Sequence, residues 1–158
     1  PRQVADLLAA HGVPARRLEL EVTESAIMTE PLRAKALLEE LAALGVKLSI
    51  DDFGAGYTSL GQLKDLPITE LKIDKSFVLT MTEDPRNAHI VRSVVDLGHS
   101  LGLALVAEGV ETAEALEVLR EYGCDVVQGY FICKPVAVDA FDRWRATRTV
   151  PQPAPTHD

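Results

Sequence analysis

Cysteine is scarce in this 158-residue chain: only Cys124 and Cys133 occur, and they form neither a CxxC pair nor a zinc-binding spacing. Both are expected to be free thiols, as in a reducing cytoplasm. Basic residues are in the minority, with 16 Lys and Arg against 24 Asp and Glu, a net charge of −8. Such a surface argues against DNA, RNA or anionic membrane as a non-specific partner, because these need Lys and Arg to neutralise phosphate. A phosphate-bearing ligand stays compatible where metal cations supply the local positive charge. No apolar run approaches the ~20 residues of a membrane span, and no signal-peptide pattern opens the chain. An initiating Met is also missing: Pro1 leads, so the chain reads as an excerpt of a longer product. Aromatics are few, four Phe, three Tyr and one Trp, yet 47% hydrophobic and 25% charged residues are enough for one globular domain with a sizeable core.

What is present alternates helix and strand. Residues 4–10 begin amphipathically and stop at Gly12, and residues 18–23 read as a strand. Pro31 suits a first helical position before residues 32–44, which keep helical apolar spacing until Gly45. Strands follow over 46–50 and 70–74, with a flexible Gly54-Ala-Gly56 loop and a short helix capped by Thr58 or Ser59 between them. A helix over 84–101, a strand over 103–107, a helix capped by Thr112, a strand over 125–127 and a helix over 138–146 complete the pattern. The Pro-rich segment after it, residues 147–158, is expected to be a disordered tail. Five strands separated by single helices imply right-handed parallel βαβ units. A complete (β/α)8 barrel needs eight strands and ~250 residues, so the chain is an incomplete TIM-like barrel of about five βα units or a smaller open sheet.

The polar residues fall in register with those units. From Gly45 to Asp51 is six residues, from Gly102 to Glu108 six, and from Gly123 to Gln128 five. Each strand thus ends on a side chain able to bind a metal or form hydrogen bonds, at the edge where α/β folds build sites. The same rule selects Glu21 or Glu24, and Lys72 or Asp74, on the other two strands. Asp51 and Asp52 are adjacent carboxylates that repel unless a cation lies between them. None of His11, His89, His99 and His157 stands at a strand end, so the donors are carboxylate oxygens suited to Mg²⁺ or Mn²⁺. Carboxylates with a Lys point to two-metal phosphoryl or phosphodiester chemistry. Competing motifs lack their context. Asp52-Phe-Gly54 has no kinase catalytic loop, Gly54-Ala-Gly56 is no dinucleotide fingerprint, and a nucleophile elbow is absent.

Five ordered segments carry a resemblance: Leu20-Glu-Val-Thr-Glu-Ser25, Asp51-Asp-Phe-Gly-Ala-Gly-Tyr-Thr-Ser59, Leu71-Lys-Ile-Asp74, Ala107-Glu-Gly-Val-Glu111 and Gln128-Gly-Tyr130. Together they resemble the successive signatures of the EAL domain, over roughly residues 1–146. The resemblance implies a (β/α)8-type barrel that hydrolyses cyclic-di-GMP to linear pGpG with Mg²⁺ or Mn²⁺, two ions in all. It implies Glu21 and Asp51 as direct metal ligands, Asp51 bridging, with Asp52 and Glu108 serving the second ion. Lys72 would orient the nucleophilic water, and Gln128 would help hold the site together. Glu24 would anchor the loop Phe53–Ser59, which in the family leads to a homodimer interface, and Glu111 would support the ligands. A sensor or diguanylate cyclase domain upstream, and a cytoplasmic site of action even for a membrane-tethered parent, follow from the same resemblance.

One departure stands out. The family's name-giving Glu-Ala-Leu segment on an early strand, with its ligand Glu and phosphate-binding Arg, and the Asn ligand of the following strand have no counterpart before Leu20, and the triplet Glu114-Ala-Leu116 falls instead in the helix capped by Thr112. The expectation is therefore that these 158 residues alone hydrolyse little or nothing, and the reading from a different class is a non-catalytic cyclic-di-GMP-binding module.

Overall fold

A computed structural model describes residues 1–54 and 60–147. Five strands, β1 (Glu19–Thr23), β2 (Lys47–Phe53), β3 (Glu70–Ile73), β4 (Ala104–Glu108) and β5 (Val126–Gln128), pair in parallel in that order in one sheet. Helices alternate with them: α1 (Arg2–His11), α2 (Glu24–Thr29), α3 (Pro31–Ala43), α4 (Leu60–Leu63), α5 (Lys75–Val78), α6 (Pro85–Ser100), α7 (Ala113–Glu121) and α8 (Val138–Thr147). This is the arrangement of a partial TIM-like barrel. The left-handed turns foreseen before the strands are present, with Gly45, Gly102 and Gly123 at φ 86, 74 and 77°.

Strand registers sort the side chains onto two unlike faces, because successive residues of a strand point to opposite sides. Leu48, Ile50, Leu71, Ile73, Leu105 and Ala107 occupy one face and are wholly buried. Ile27 of α2, Leu38 and Leu41 of α3, Val91 and Val95 of α6, and Leu119 of α7 complete the same core. Each such Leu or Ile contributes about 1.5–3 kcal/mol by leaving water. The opposite face holds Glu19 and Glu21, Lys47 and Ser49, Glu70 and Lys72, then Glu108 and Gln128. A sheet with helices against one face and charges on the other is the wall of a barrel seen alone.

Three elements differ from the sequence expectation. The helices α2 and α5 were not foreseen, since each is a short turn following a strand directly and shows no hydrophobic period. Side chains nucleate them: the Thr23 hydroxyl accepts from Ala26 N at 3.4 Å, and Asp74 accepts from Ser76 N at 2.8 Å. The strand expected to end at Ile50 continues through Phe53 by way of a bulge. Thr147, the first residue of the expected tail, still belongs to α8, and Thr58, Ser59 and residues 148–158 lie outside the described residues. No helix among the described residues is long and apolar enough to cross a membrane.

Candidate metal and active site

The bulge brings two neighbouring carboxylates to one side. Ile50 pairs with Leu71 and Phe53 with Ile73, so Asp51 and Asp52 together stand opposite Lys72. Two residues against one lets both aspartates leave the core while Phe53 returns to it, 7% exposed. Asp52 takes a left-handed φ of 56°, alone in this among the described non-glycine residues, and Asp is among the few that tolerate it.

Lys72 is the hub. It is 5% exposed, and its Nζ lies 2.8 Å from Glu21 Oε1, 3.1 Å from Asp51 Oδ1 and 2.6 Å from Glu108 Oε1. Burial works to lower its pKa, but the close carboxylates of Glu108, Glu21 and Asp51 outweigh burial and hold the ammonium charged well above the ordinary lysine range. The positions selected at the ends of β1, β2, β3 and β4 therefore converge on one point, and the alternatives separate. Glu21 joins the cluster, whereas Glu24 starts α2, is buried, and accepts from Gly54 N at 3.3 Å. Lys72 joins it, whereas Asp74 caps α5. Gln128 ends β5 beside Glu108 in register and is exposed. Glu111 lies exposed beyond β4, and no hydrogen bond or ion pair joins it to the cluster among the described residues.

One ammonium faces three carboxylates, with Asp52 beside them, so the site retains excess negative charge. Asp51, Asp52 and Glu108 each offer an oxygen within 4.8 Å of the others. Asp51 Oδ1 is buried and, although ion-paired to Lys72, has no well-directed hydrogen bond. An all-oxygen set with a buried, under-satisfied carboxylate fits a hard divalent cation. Partial loss of solvent, then a hydrogen bond to Asp74 and repulsion from Asp51, Asp74 and Glu108, raise the Asp52 carboxyl above its usual range. Burial also works to raise Asp74, but hydrogen bonds from Ser76 and Asp52 hold it below the ordinary value. Asp74 thus lies close enough to Asp52 to bias its charge, a proximity that sequence reasoning missed because it spans two strands.

Beneath this layer lies a second that the sequence reading passed over. Its signal was the polar–apolar alternation of Glu19-Leu20-Glu21 and Glu70-Leu71-Lys72. Burial, then repulsion from and a hydrogen bond to Glu19, push the Glu70 carboxyl up to about 7 from 4.5, against the lowering pull of Lys47 and Lys72. A raised carboxylic acid stabilises the fold fully below its unfolded value, and that stability is lost as pH climbs through the folded one. Raising the pH from 5 to 8 should therefore cost the unsubstituted chain of the order of 1 kcal/mol, after discounting for solvent screening, that Glu70→Gln does not lose. Urea midpoints at the two pH values measure the difference; parallel losses in both proteins would refute it.

Among the described residues, no thiol or imidazole belongs to the cluster. Cys124 and Cys133 are free, and burial pushes the Cys124 thiol up to about 11 while Sγ donates to the Leu105 and Val126 carbonyls at 3.4 and 3.3 Å. His99 Nε2 meets Asp125 Oδ2 at 2.9 Å, beside the N-terminal ends of β4 and β5 and so away from the C-terminal edge that carries the cluster.

The EAL domain family model matches residues 1–135, six-sevenths of the chain. The chain belongs to the EAL domain family. Among relatives, the cyclic di-GMP phosphodiesterase NbdA of Pseudomonas aeruginosa is 43% identical over 142 residues, 90% of this chain and 18% of that protein. The solved structure described as the PaMucR phosphodiesterase in complex with c-di-GMP superposes with a TM-score of 0.85 at 43% identity, covering 87% of this chain and 56% of that one. Klebsiella pneumoniae BlrP1, solved with manganese and cy-diGMP, gives a TM-score of 0.79 at 35% identity over 84% of this chain and 34% of its own. The chain spans about a fifth of the length of most of the curated relatives it matches, and 35% of the cyclic di-GMP phosphodiesterase RocR. Membership in this EAL family accounts for five parallel strands in a partial barrel.

Proposed function

We propose that residues 1–146 form the later part of an EAL domain whose parent protein hydrolyses cyclic-di-GMP to linear pGpG. One observation carries the reading: Lys72 held at 2.6–3.1 Å by carboxylates from three separate strands, each lying within a signature segment. Glu21, Asp51, Asp52 and Glu108 would hold two Mg²⁺ or Mn²⁺ ions, with Asp51 able to serve both. Such ions, when bound, neutralise phosphate charge and acidify a water. Lys72 Nζ lies within ion-pair distance of three carboxylates; donors released to a water or a phosphate oxygen would orient the attack and offset charge on phosphorus. Gln128, beside Glu108, would take part through its amide. The Glu24–Gly54 hydrogen bond would tie α2 to the start of the loop Phe53–Ser59, whose residues 55–59 lie outside the described structure. A homodimer formed through that loop, an upstream sensor or cyclase domain and a cytoplasmic setting belong to the same proposal.

Calorimetry of cyclic-di-GMP against the chain, with and without Mn²⁺, tests the binding half. Release of pGpG after an upstream segment carrying the Glu-Ala-Leu and Asn ligands is joined to the chain tests the catalytic half. We expect metal-dependent binding, little turnover by the 158 residues alone, and turnover restored by the extension. Tight binding with no hydrolysis by the extended protein in either metal would establish the receptor reading instead.

A further inference from the structure

The backbone that follows β4 is locked against the backbone that follows β5. Val110 N donates to the Gln128 carbonyl at 3.0 Å, and Phe131 N donates to the Val110 carbonyl at 3.0 Å. The ladder that pairs Glu108 with Gln128 therefore continues past both residues. At Gly129 the two chains come so close that a Cβ would overlap the Val110 backbone nitrogen and oxygen and lie 2.7 Å from its carbonyl carbon. Backbone held by two hydrogen bonds cannot move aside as a side-chain tip can. Val110 itself is fully buried, which fixes this crossing to the core. The other side of the turn is equally close: Gly109, at φ 75°, faces Lys75 Cβ at a would-be Cβ distance of 2.7 Å. Lys75 opens α5, whose cap Asp74 accepts from Ser76 N at 2.8 Å.

From this packing we propose that Gly129 is a positioning residue of the metal site: by admitting the Val110 backbone it sets the relative placement of Glu108 and Gln128. The inference rests on the metal-binding reading above. Gly129 touches neither ion nor substrate and acts through Glu108, two residues before Val110. A Cβ at 129 must push the Val110 segment away from β5 and carry Glu108 out of line with Asp51 and Asp52. Groups that orient metal ligands typically change affinity by about 10–100-fold when disturbed.

Mn²⁺ binding measured by calorimetry on the 158-residue chain separates this role from a merely structural one. Gly129→Ala should bind Mn²⁺ about tenfold more weakly while remaining folded by circular dichroism. Gly102→Ala is the control: its φ of 74° makes the substitution strained, but nothing lies within 4 Å and it sits at the far end of β4. It should lower the thermal midpoint and leave Mn²⁺ affinity unchanged. Should Gly129→Ala fail to fold, hydrogen exchange in the unsubstituted chain decides. Because coupling is reciprocal, Mn²⁺ should slow exchange at the Val110 and Phe131 amides. Unchanged exchange at both, or Mn²⁺ affinity in folded Gly129→Ala within about twofold of the parent, overturns the role of Gly129 and leaves the metal reading standing. No Mn²⁺ binding by the unsubstituted chain overturns both.

Discussion

Lys72→Met is expected to destabilise the metal-free chain by about 3 kcal/mol, towards the lower end of what breaking a buried ion pair costs. Lys72 is 5% exposed and is the cation within ion-pair distance of Glu21, Asp51 and Glu108, so its removal leaves those carboxylates facing one another. The cost stays near the lower end because the Glu21 side chain is half exposed and can be hydrated, whereas Asp51 and Glu108 retain only 24% and 17% exposure. Divalent cations should then compensate. Binding at a hundredfold excess over the dissociation constant adds about 2.7 kcal/mol to a folded state, so Mn²⁺ should raise the thermal midpoint more in Lys72→Met than in the unsubstituted protein. Turnover by the extended protein should still fall about 10²–10⁴-fold, since methionine can neither orient water nor donate to phosphate. Denaturation with and without Mn²⁺ gives the stability arm. A metal-free Lys72→Met chain as stable as its parent would show that Lys72 is not the site's resident counter-charge.

Strand-end arithmetic found this cluster before its geometry was known, because parallel strands preceded by helix-ending glycines leave few places for a polar residue to point. It could not separate Glu21 from Glu24 or Lys72 from Asp74: both members of each pair lie within three residues of one strand end, and only the registers show which shares a face with Asp51. The bulge at Asp51 and Asp52 was hidden for a related reason. Adjacent residues on a regular strand point to opposite faces, and nothing local to Ile50-Asp-Asp-Phe53 announces an extra residue; it is visible only as a count against Leu71 and Ile73 on β3. The short helices α2 and α5 depend on caps supplied by Thr23 and Asp74, residues that sequence reading assigns equally well to a strand end or a site. The Gly129 contact depends on the distance between two loops, and no pattern within either one encodes it.

Asp51→Asn should separate metal binding from stability in the direction opposite to Lys72→Met. The substitution preserves shape and removes one negative charge from the crowded set of Glu21, Asp51, Asp52 and Glu108. Lys72 retains its contacts at 2.8 and 2.6 Å with Glu21 and Glu108, so the metal-free fold should change by no more than about 1 kcal/mol, the scale of a partly exposed ion pair. Metal binding should suffer far more. Asp51 Oδ1 is buried without a well-directed hydrogen bond, the condition of an oxygen available to a cation, and a neutral amide is a poor replacement for a carboxylate beside a hard divalent ion. Mn²⁺ affinity should drop at least about 100-fold, equivalent to about 2.7 kcal/mol, and pGpG release by the extended protein should approach background. Calorimetry and thermal denaturation of the same preparation read both quantities. Mn²⁺ affinity in Asp51→Asn within a few-fold of the parent would place the ion elsewhere. A large loss of metal-free stability would mean that Asp51 serves the fold through Lys72 instead of holding a cation.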